Sequence, residues 1–215
     1  IIKEKNIKAV IFSNPCNPTG RAYEKSAILD FVTRANTLVI LDEAYADFCE
    51  NSVSLLDICA DTENLIILRT LSKAFGLASL RCGFAVSNRE IITALYKVKS
   101  PYNVNSVTQA FAAAALKHKR GYGELISEII KQKNRIYDSI LALSYEFGFE
   151  VYPSGANFVF ARFKEGEAKR VFTELLRRGI KVRCMPPYLR ITAGTPTETD
   201  EFIKAFNDIY TRKEL

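Results

Sequence analysis

The sequence predicts an α/β protein, part of a parallel sheet with its crossover, followed by a smaller C-terminal α+β domain. Two observations carry this reading. Four runs in the first hundred residues, 9–13 (AVIFS), 38–41 (LVIL), 65–68 (LIIL) and 83–86 (GFAV), are apolar throughout rather than alternating. Strands buried on both faces of a parallel sheet have that pattern. After Gly148, by contrast, short strands and helices follow each other closely.

The elements follow in order. Residues 26–36 set Ile28, Leu29, Phe31 and Val32 on one helical stripe between the first two strands, which predicts a right-handed β–α–β crossover. The character changes near Ser100-Pro101. Residues 105–119 form an alanine-rich helix, and 123–147 a long amphipathic one carrying Leu125, Ile129, Ile136, Ile140 and Leu143. Strands are expected at 150–152, 157–162, 181–183 and 189–192, with helices at 167–178 and 199–210. The expected organisation is residues 1–100 in the sheet domain, linking helices over 101–147, and 148–215 in the small domain.

Composition narrows the class. The 215 residues are 48% hydrophobic and 25% charged, with a formal net charge of +6, values of an ordinary globular chain. No apolar stretch approaches the ~20 residues that span a bilayer. The five cysteines are odd in number, form no CxxC pair and are accompanied by one histidine, His118. A disulfide scaffold and a Cys/His zinc site are therefore disfavoured, no metal is expected, and a reducing, cytoplasmic setting is. The chain opens Ile-Ile-Lys-Glu-Lys, without Met, signal peptide or transit segment, and a strand begins almost at once. The expectation is a piece of a longer protein.

Open α/β sheets bind ligands at the carboxyl ends of their strands. After the first strand comes S-N-P-C-N-P-T-G, where two prolines restrict Asn14 and Asn17 to extended or turn geometry, so that their amides can present fixed donors. After the second comes L-D-E-A-Y, an acid pair suited to a metal, a Walker-B-like site or a cationic ligand atom. No P-loop precedes it, which disfavours nucleotide hydrolysis. After the third come R-T-L-S-K-A-F-G and L-R-C-G: two hydroxyls, a lysine and an arginine that make an anion cup with a potential amine nucleophile. Pyridoxal phosphate needs this set of an aldehyde-trapping lysine, a carboxylate for the pyridine nitrogen, donors for the phenolic oxygen and a phosphate cup.

N-P-x-N-P-T-G, D-E-A-Y and S-K-x-F-G-L…L-R-x-G-F, in this order, resemble the fold-type I pyridoxal-phosphate aminotransferases over essentially the whole chain. The resemblance implies that Lys73 condenses with the cofactor aldehyde and then shuttles the proton between substrate Cα and cofactor. It implies that Asp42 pairs with the pyridinium nitrogen, that Tyr45 and Asn17 donate to the phenolic oxygen, and that Thr70, Ser72 and Arg81 hold the phosphate. DEAYADF, TLSKAF, SPYNV, GANF and LRITAG are similar to the histidinol-phosphate aminotransferase family. That likeness implies that Arg190 grips the substrate α-carboxylate or its equivalent, that Arg183 contacts the substrate phosphate and that Asn157 lies nearby. Arginine suits both anions because its planar fork matches carboxylate and phosphate.

The resemblance further implies small phosphorylated amine and keto-acid substrates, a homodimer, and no nucleic-acid or membrane partner. Relatives carry a substantial region before the first strand found here, so the chain is expected to have one unpaired sheet edge and little activity alone. Two rival readings share the motifs, a threonine-phosphate-type decarboxylase and the aminotransferase-like sensor domain of a transcription regulator. His118 is expected to be a solvated helix-end residue, Cys16 and Cys82 to be filler, and Lys117, Lys119 and Arg120 to complement a helix dipole.

Overall fold

Strand β1 (Ala9–Ser13) pairs in parallel with β2 (Leu38–Asp42), and β2 in parallel with β3 (Leu65–Thr70). The coordinates are a computed structural model describing residues 1–51 and 53–211, with the side chains of Lys119 and Arg120, two of the expected dipole-complementing cluster, outside that description. Helix α1 (Lys25–Arg34) makes the first crossover and buries Ile28 and Val32. Asn64 locks its end, donating from Nδ2 to the carbonyls of Val32, Ala35 and Thr37 at 2.7–3.1 Å. The second crossover uses two 3-10 turns instead of a long helix, and buried Phe48, Val53, Leu55 and Cys59 give it an apolar inner surface.

Strand β4 (Gly83–Val86) departs from the expectation of an all-parallel sheet, because it pairs antiparallel with β3. The intervening twelve residues double back rather than cross over: the Leu71 N–H donates to Cys82 O and the Leu77 N–H to Leu71 O. Gly83 eases the return, since a Cβ there would stand 3.0 Å from Arg69 O, a tight contact with backbone. The apolar runs are also covered less evenly than expected. Val39, Leu41, Leu65 and Ile67 are fully buried in one core with Ile28, Val32, Leu55 and Cys59, whereas Ile40 is half-buried and Ile11 is 68% exposed. Fuller burial of one face, with residues of period two, accounts for this, and on the other face Ile66 is the member that is buried.

Helices α2 (Arg89–Val98) and α3 (Ser106–Lys117) are each capped by an asparagine, Asn88 accepting from Ile91 N–H and Asn105 from Thr108 N–H. Helix α4 (Lys119–Phe147) starts earlier than its apolar stripe suggested and runs through Gly121 and Gly123. Exposed His118 caps the end of α3. No helix among the described residues is long and apolar enough to cross a membrane.

The rest is an antiparallel sheet, ordered β5 (Glu150–Tyr152), β6 (Phe158–Arg162), β8 (Tyr188–Thr192), β7 (Arg183–Met185), with α5 (Glu167–Arg177) and α6 (Pro196–Thr211). Their core centres on Phe149, which stacks on Phe163 at 4.9 Å and meets Phe206 edge-on at 6.2 Å. Helix α6 begins with a reciprocal cap: Glu198 accepts from Thr195 N–H at 2.7 Å, and Glu198 N–H donates to Thr195 Oγ1. Donation from the Thr195 N–H and hydroxyl holds the Glu198 carboxyl below its ordinary range. By internal contacts the chain divides into two compact units, residues 1–16 with 22–124, and residues 17–21 with 125–215.

Ile67→Ala removes a fully buried side chain from the first core and should lower the unfolding free energy by about 2–5 kcal/mol in a denaturant titration. Cys59 gives a pH test. Burial pushes its thiol from 9.0 up to about 11, so the folded chain keeps a proton that the unfolded chain releases. Its contribution is intact below pH 9 and is lost as pH rises through about 11. Denaturant midpoints should therefore fall more steeply over that interval in the parent than in Cys59→Ala.

Candidate active site

The strand ends of the first unit gather six of the ten expected site residues. Asp42 closes β2, with Oδ1 accepting the Ala44 N–H at 2.9 Å, which folds the next turn over its own carboxylate. Tyr45 is buried in that turn, its ring 6.5 Å from Phe48. Lys73 is exposed, and its Nζ stands 5.4 Å from the centre of the Tyr45 ring, a cation over an aromatic face. Thr70 closes β3, its hydroxyl donating to Cys82 O at 3.3 Å and accepting the Ser72 N–H at 3.1 Å.

Register puts these residues on one face. Asp42 pairs with Leu68, partners share a face and side chains alternate, so Thr70 lies on the face of Asp42. Arg81 enters from the β3–β4 return with φ +53°, in the left-handed region, where a non-glycine residue costs about 1–2 kcal/mol. Its Nη1 donates to Ala78 O at 3.0 Å, bending the exposed guanidinium back on its own turn.

The other four belong to the second unit. Arg190 lies on β8 with its guanidinium 5.0 Å from the centre of the Phe158 ring; Nη1 donates to Asn17 Oδ1 at 2.7 Å, while Nε is buried with no partner among the described residues. Arg183 on β7 is the register partner of Arg190, so two guanidinium side chains rise from one face at adjacent positions. Like charges directly opposed destabilise a sheet, and an anion between them reverses the sign. Half-buried Asn157 precedes β6, and its carbonyl accepts the Ala193 N–H at 2.9 Å. Asn17 is set by its loop: Gly20 O accepts the Gly155 N–H at 2.8 Å, and a Cβ on Gly20, at φ +73°, would stand 2.1 Å from Ser154 Oγ.

One expectation fails here. Asn14 offers nothing to a ligand, because its amide is wholly buried and satisfied by the backbone of Tyr23, Nδ2 donating to the carbonyl at 3.1 Å and Oδ1 accepting the N–H at 2.7 Å. Two further residues lie within the motifs: Glu43, which the sequence offers only as one of an acid pair, and Arg69, to which it assigns no role. Glu43 is fully buried and Arg69 is 13% exposed, and they form an ion pair at 3.1 Å. Their signal was present, since period two sets both opposite their ligand-facing neighbours.

Residues 2–206 match the family described as aminotransferase class I and II. The chain belongs to this family. It is 40% identical to the histidinol-phosphate aminotransferase of Thermoanaerobacter pseudethanolicus over 215 residues, 97% of this chain and 59% of that protein. Among solved structures it superposes with a TM-score of 0.83 on histidinol-phosphate aminotransferase from Sinorhizobium meliloti in complex with pyridoxal-5'-phosphate, at 26% identity, covering 97% of this chain and 59% of that one. It superposes equally, at 0.83, on L-threonine-O-3-phosphate decarboxylase from Porphyromonas gingivalis, at 27% identity over 96% of this chain and 66% of that one. The chain thus spans about three-fifths of the length of the aminotransferase relatives it matches.

The donor set of this family member fits the cofactor that its S. meliloti relative holds: an amine for an aldehyde, a carboxylate for a ring nitrogen, a phenol for a phenolate, and hydroxyls with a guanidinium for a phosphate. The strained backbone at Arg81 gives a direct test. Arg81→Gly should raise the unfolding free energy by about 1 kcal/mol in urea, because glycine accepts φ +53° without steric penalty.

Proposed function

We propose that the protein is a pyridoxal-phosphate-dependent aminotransferase that interconverts histidinol phosphate and 2-oxoglutarate with imidazole acetol phosphate and glutamate, a reaction of histidine biosynthesis. The observation that carries the reading is Lys73 Nζ at 5.4 Å from the buried Tyr45 ring, with Asp42 and Thr70 on one face at the ends of β2 and β3. The 40% identity to an enzyme of that name supports the substrate pair. With this reading go a cytoplasmic setting, a homodimer, small-molecule partners only, and a division into residues 1–100, linking helices 101–147 and a small domain 148–215.

The chemistry supplied by bound pyridoxal phosphate is that of an electron sink for a broken Cα–H bond. The Asp42 carboxylate would keep the ring nitrogen protonated, and Tyr45 and Asn17 would donate to the phenolic oxygen. Thr70, Ser72 and Arg81 would hold the phosphate by charge-assisted hydrogen bonds. Lys73 Nζ would take the proton from the substrate Cα as general base and then give it up as acid. Arg190 would fork the carboxylate of glutamate or 2-oxoglutarate, Arg183 would meet the phosphate of the phosphorylated substrate, and Asn157 would border both. The 215 residues alone should turn over little substrate.

A second reading, release of carbon dioxide from a phosphorylated amino acid, is favoured by the equal likeness to the threonine-phosphate decarboxylase fold. It uses the same residues and differs in which bond is broken. A chimera separates the two, with residues 1–215 replacing the matching region of the T. pseudethanolicus enzyme. It should aminate imidazole acetol phosphate from glutamate and release no carbon dioxide from threonine phosphate, and Lys73→Ala should lower the rate by at least about a thousandfold. Carbon dioxide release without amination would overturn the proposal.

A further inference from the structure

Behind the ligand-facing side of the sheet lies a charged cluster with no role in the mechanism above. Glu43 is fully buried, and its carboxylate is saturated: Oε1 accepts the Leu55 N–H at 3.0 Å, while Oε2 accepts the Ser54 hydroxyl at 2.6 Å and Arg69 Nη1 at 3.1 Å. Arg69 reaches in the other direction with Nη2, which donates to Asp47 Oδ1 at 2.6 Å. One guanidinium thus spans two carboxylates with two different nitrogens. Both partners are largely withdrawn from water, Asp47 having 18% of its side chain exposed. Removing one member of such a cluster leaves an uncompensated buried charge, the costly case among buried ion pairs.

The location matters more than the energy. Glu43 follows Asp42 and Arg69 precedes Thr70, each on the opposite face from its neighbour by the alternation of the strands. The Glu43 N–H also donates to Leu68 O at 2.9 Å, and Glu43 O accepts the Ala46 N–H at 3.1 Å. The turn that carries Asp42 and Tyr45 is therefore tethered to β3 by its backbone at one point and by Arg69 at two more, Glu43 and Asp47. Tyr45 stands between those two tethers in sequence.

We propose that Arg69 is a positioning residue: by bridging Glu43 and Asp47 it holds the turn 43–47, and with it the Asp42 carboxylate and the Tyr45 phenol, in the arrangement that cofactor binding uses. The last clause rests on the functional reading above, whereas the holding itself does not. Arginine is required because its planar fork meets two carboxylates at once, a geometry that the single ammonium of lysine reproduces only in part.

The Ala44 N–H reports on this directly, because its acceptor is Asp42 Oδ1. The Val39 N–H, bonded to Asn64 O at 2.8 Å near the other end of β2, serves as internal reference. Amide hydrogen exchange of the 215-residue chain, without cofactor, should show Ala44 and Leu55 exchanging at least about tenfold faster in Arg69→Gln than in the parent, with Val39 unchanged; tenfold corresponds to ~1.4 kcal/mol of local opening. Arg69→Lys should fall between the two. Protection of Ala44 that persists in Arg69→Gln overturns the proposal. If Arg69→Gln also loses Val39 protection, the triple variant Glu43→Gln, Arg69→Met, Asp47→Asn, which removes the charges together, takes its place: fast Ala44 with slow Val39 sustains the proposal, and both slow, or both fast, overturns it. Titration with pyridoxal phosphate of the chimera described above, read by the absorbance change that Lys73→Ala abolishes, is a separate arm. No such change in the chimera sinks the cofactor reading and leaves the exchange result to decide the role of Arg69, while a change in the chimera that its Arg69→Gln variant reproduces at the same concentration overturns the link to the site.

Discussion

The pairing of Asp42 with Leu68 is the constraint from which the rest of the first unit follows. With that register Asp42 and Thr70 share a face, and Glu43 and Arg69 share the other. A slip of one residue would turn the acid of the candidate site into the core and bring a buried glutamate out to meet the ligand. The fully buried row Val39, Leu41, Leu65 and Ile67 resists that slip, since each member would leave the core together. Chemistry at the strand ends and hydrophobic burial along the strands are thus set by one alignment.

The second unit holds its charges in a different way. Leu189 and Ile191 enter the core with the helices, so Tyr188, Arg190 and Thr192 stand on the opposite face of β8. Phe160 stacks on Tyr188 at 4.8 Å and Phe158 lies beneath the Arg190 guanidinium, so that face is an aromatic floor carrying a cation. An aromatic floor restricts the arginine to one direction and removes water from one side of it, which strengthens its attraction for an anion. Its donation to Asn17 occupies one nitrogen, and among the described residues Nε has no hydrogen-bond partner.

Much of the fold was legible in local pattern. The apolar runs at 9–13, 38–41, 65–68 and 83–86 became strands because their residues favour a pleated, buried surface. The direction of β4 was not legible, since an apolar run has no polarity and the return depends on two backbone bonds within 71–82. Helix α2, by contrast, was legible, since Asn88 caps it and Ile91, Ile92, Leu95 and Val98 recur at helical spacing, although the stripe ends up fully burying none of its residues. The start of α6 was misread by a few residues: T-P-T-E is a capping box with proline at the first helical position, a stronger signal than the apolar periodicity that begins at Thr199. At the site, residue types at strand ends were enough to nominate Asp42, Tyr45, Thr70 and Lys73. They could not separate Asn14 from Asn17, because what distinguishes these two is burial against Tyr23, a residue nine positions away.

That pair of asparagines shows how a short motif can serve two compact units. The main-chain N–H of Asn14 donates to Asp42 O at 2.9 Å, tying the start of the loop to the end of β2, and its side chain closes the loop on Tyr23. Between those fixed ends the chain leaves the first unit at Cys16, passes through residues 17–21 of the second and returns at Ala22. Restricting both ends reduces the conformations open to the intervening residues, so less conformational freedom is lost when Gly20 and Asn17 meet their partners on Gly155 and Arg190. The two prolines act in the same direction by fixing φ at positions 15 and 18. The two halves of N-P-x-N-P-T-G therefore do different things, since the first asparagine builds the frame and the second is the group that the frame presents.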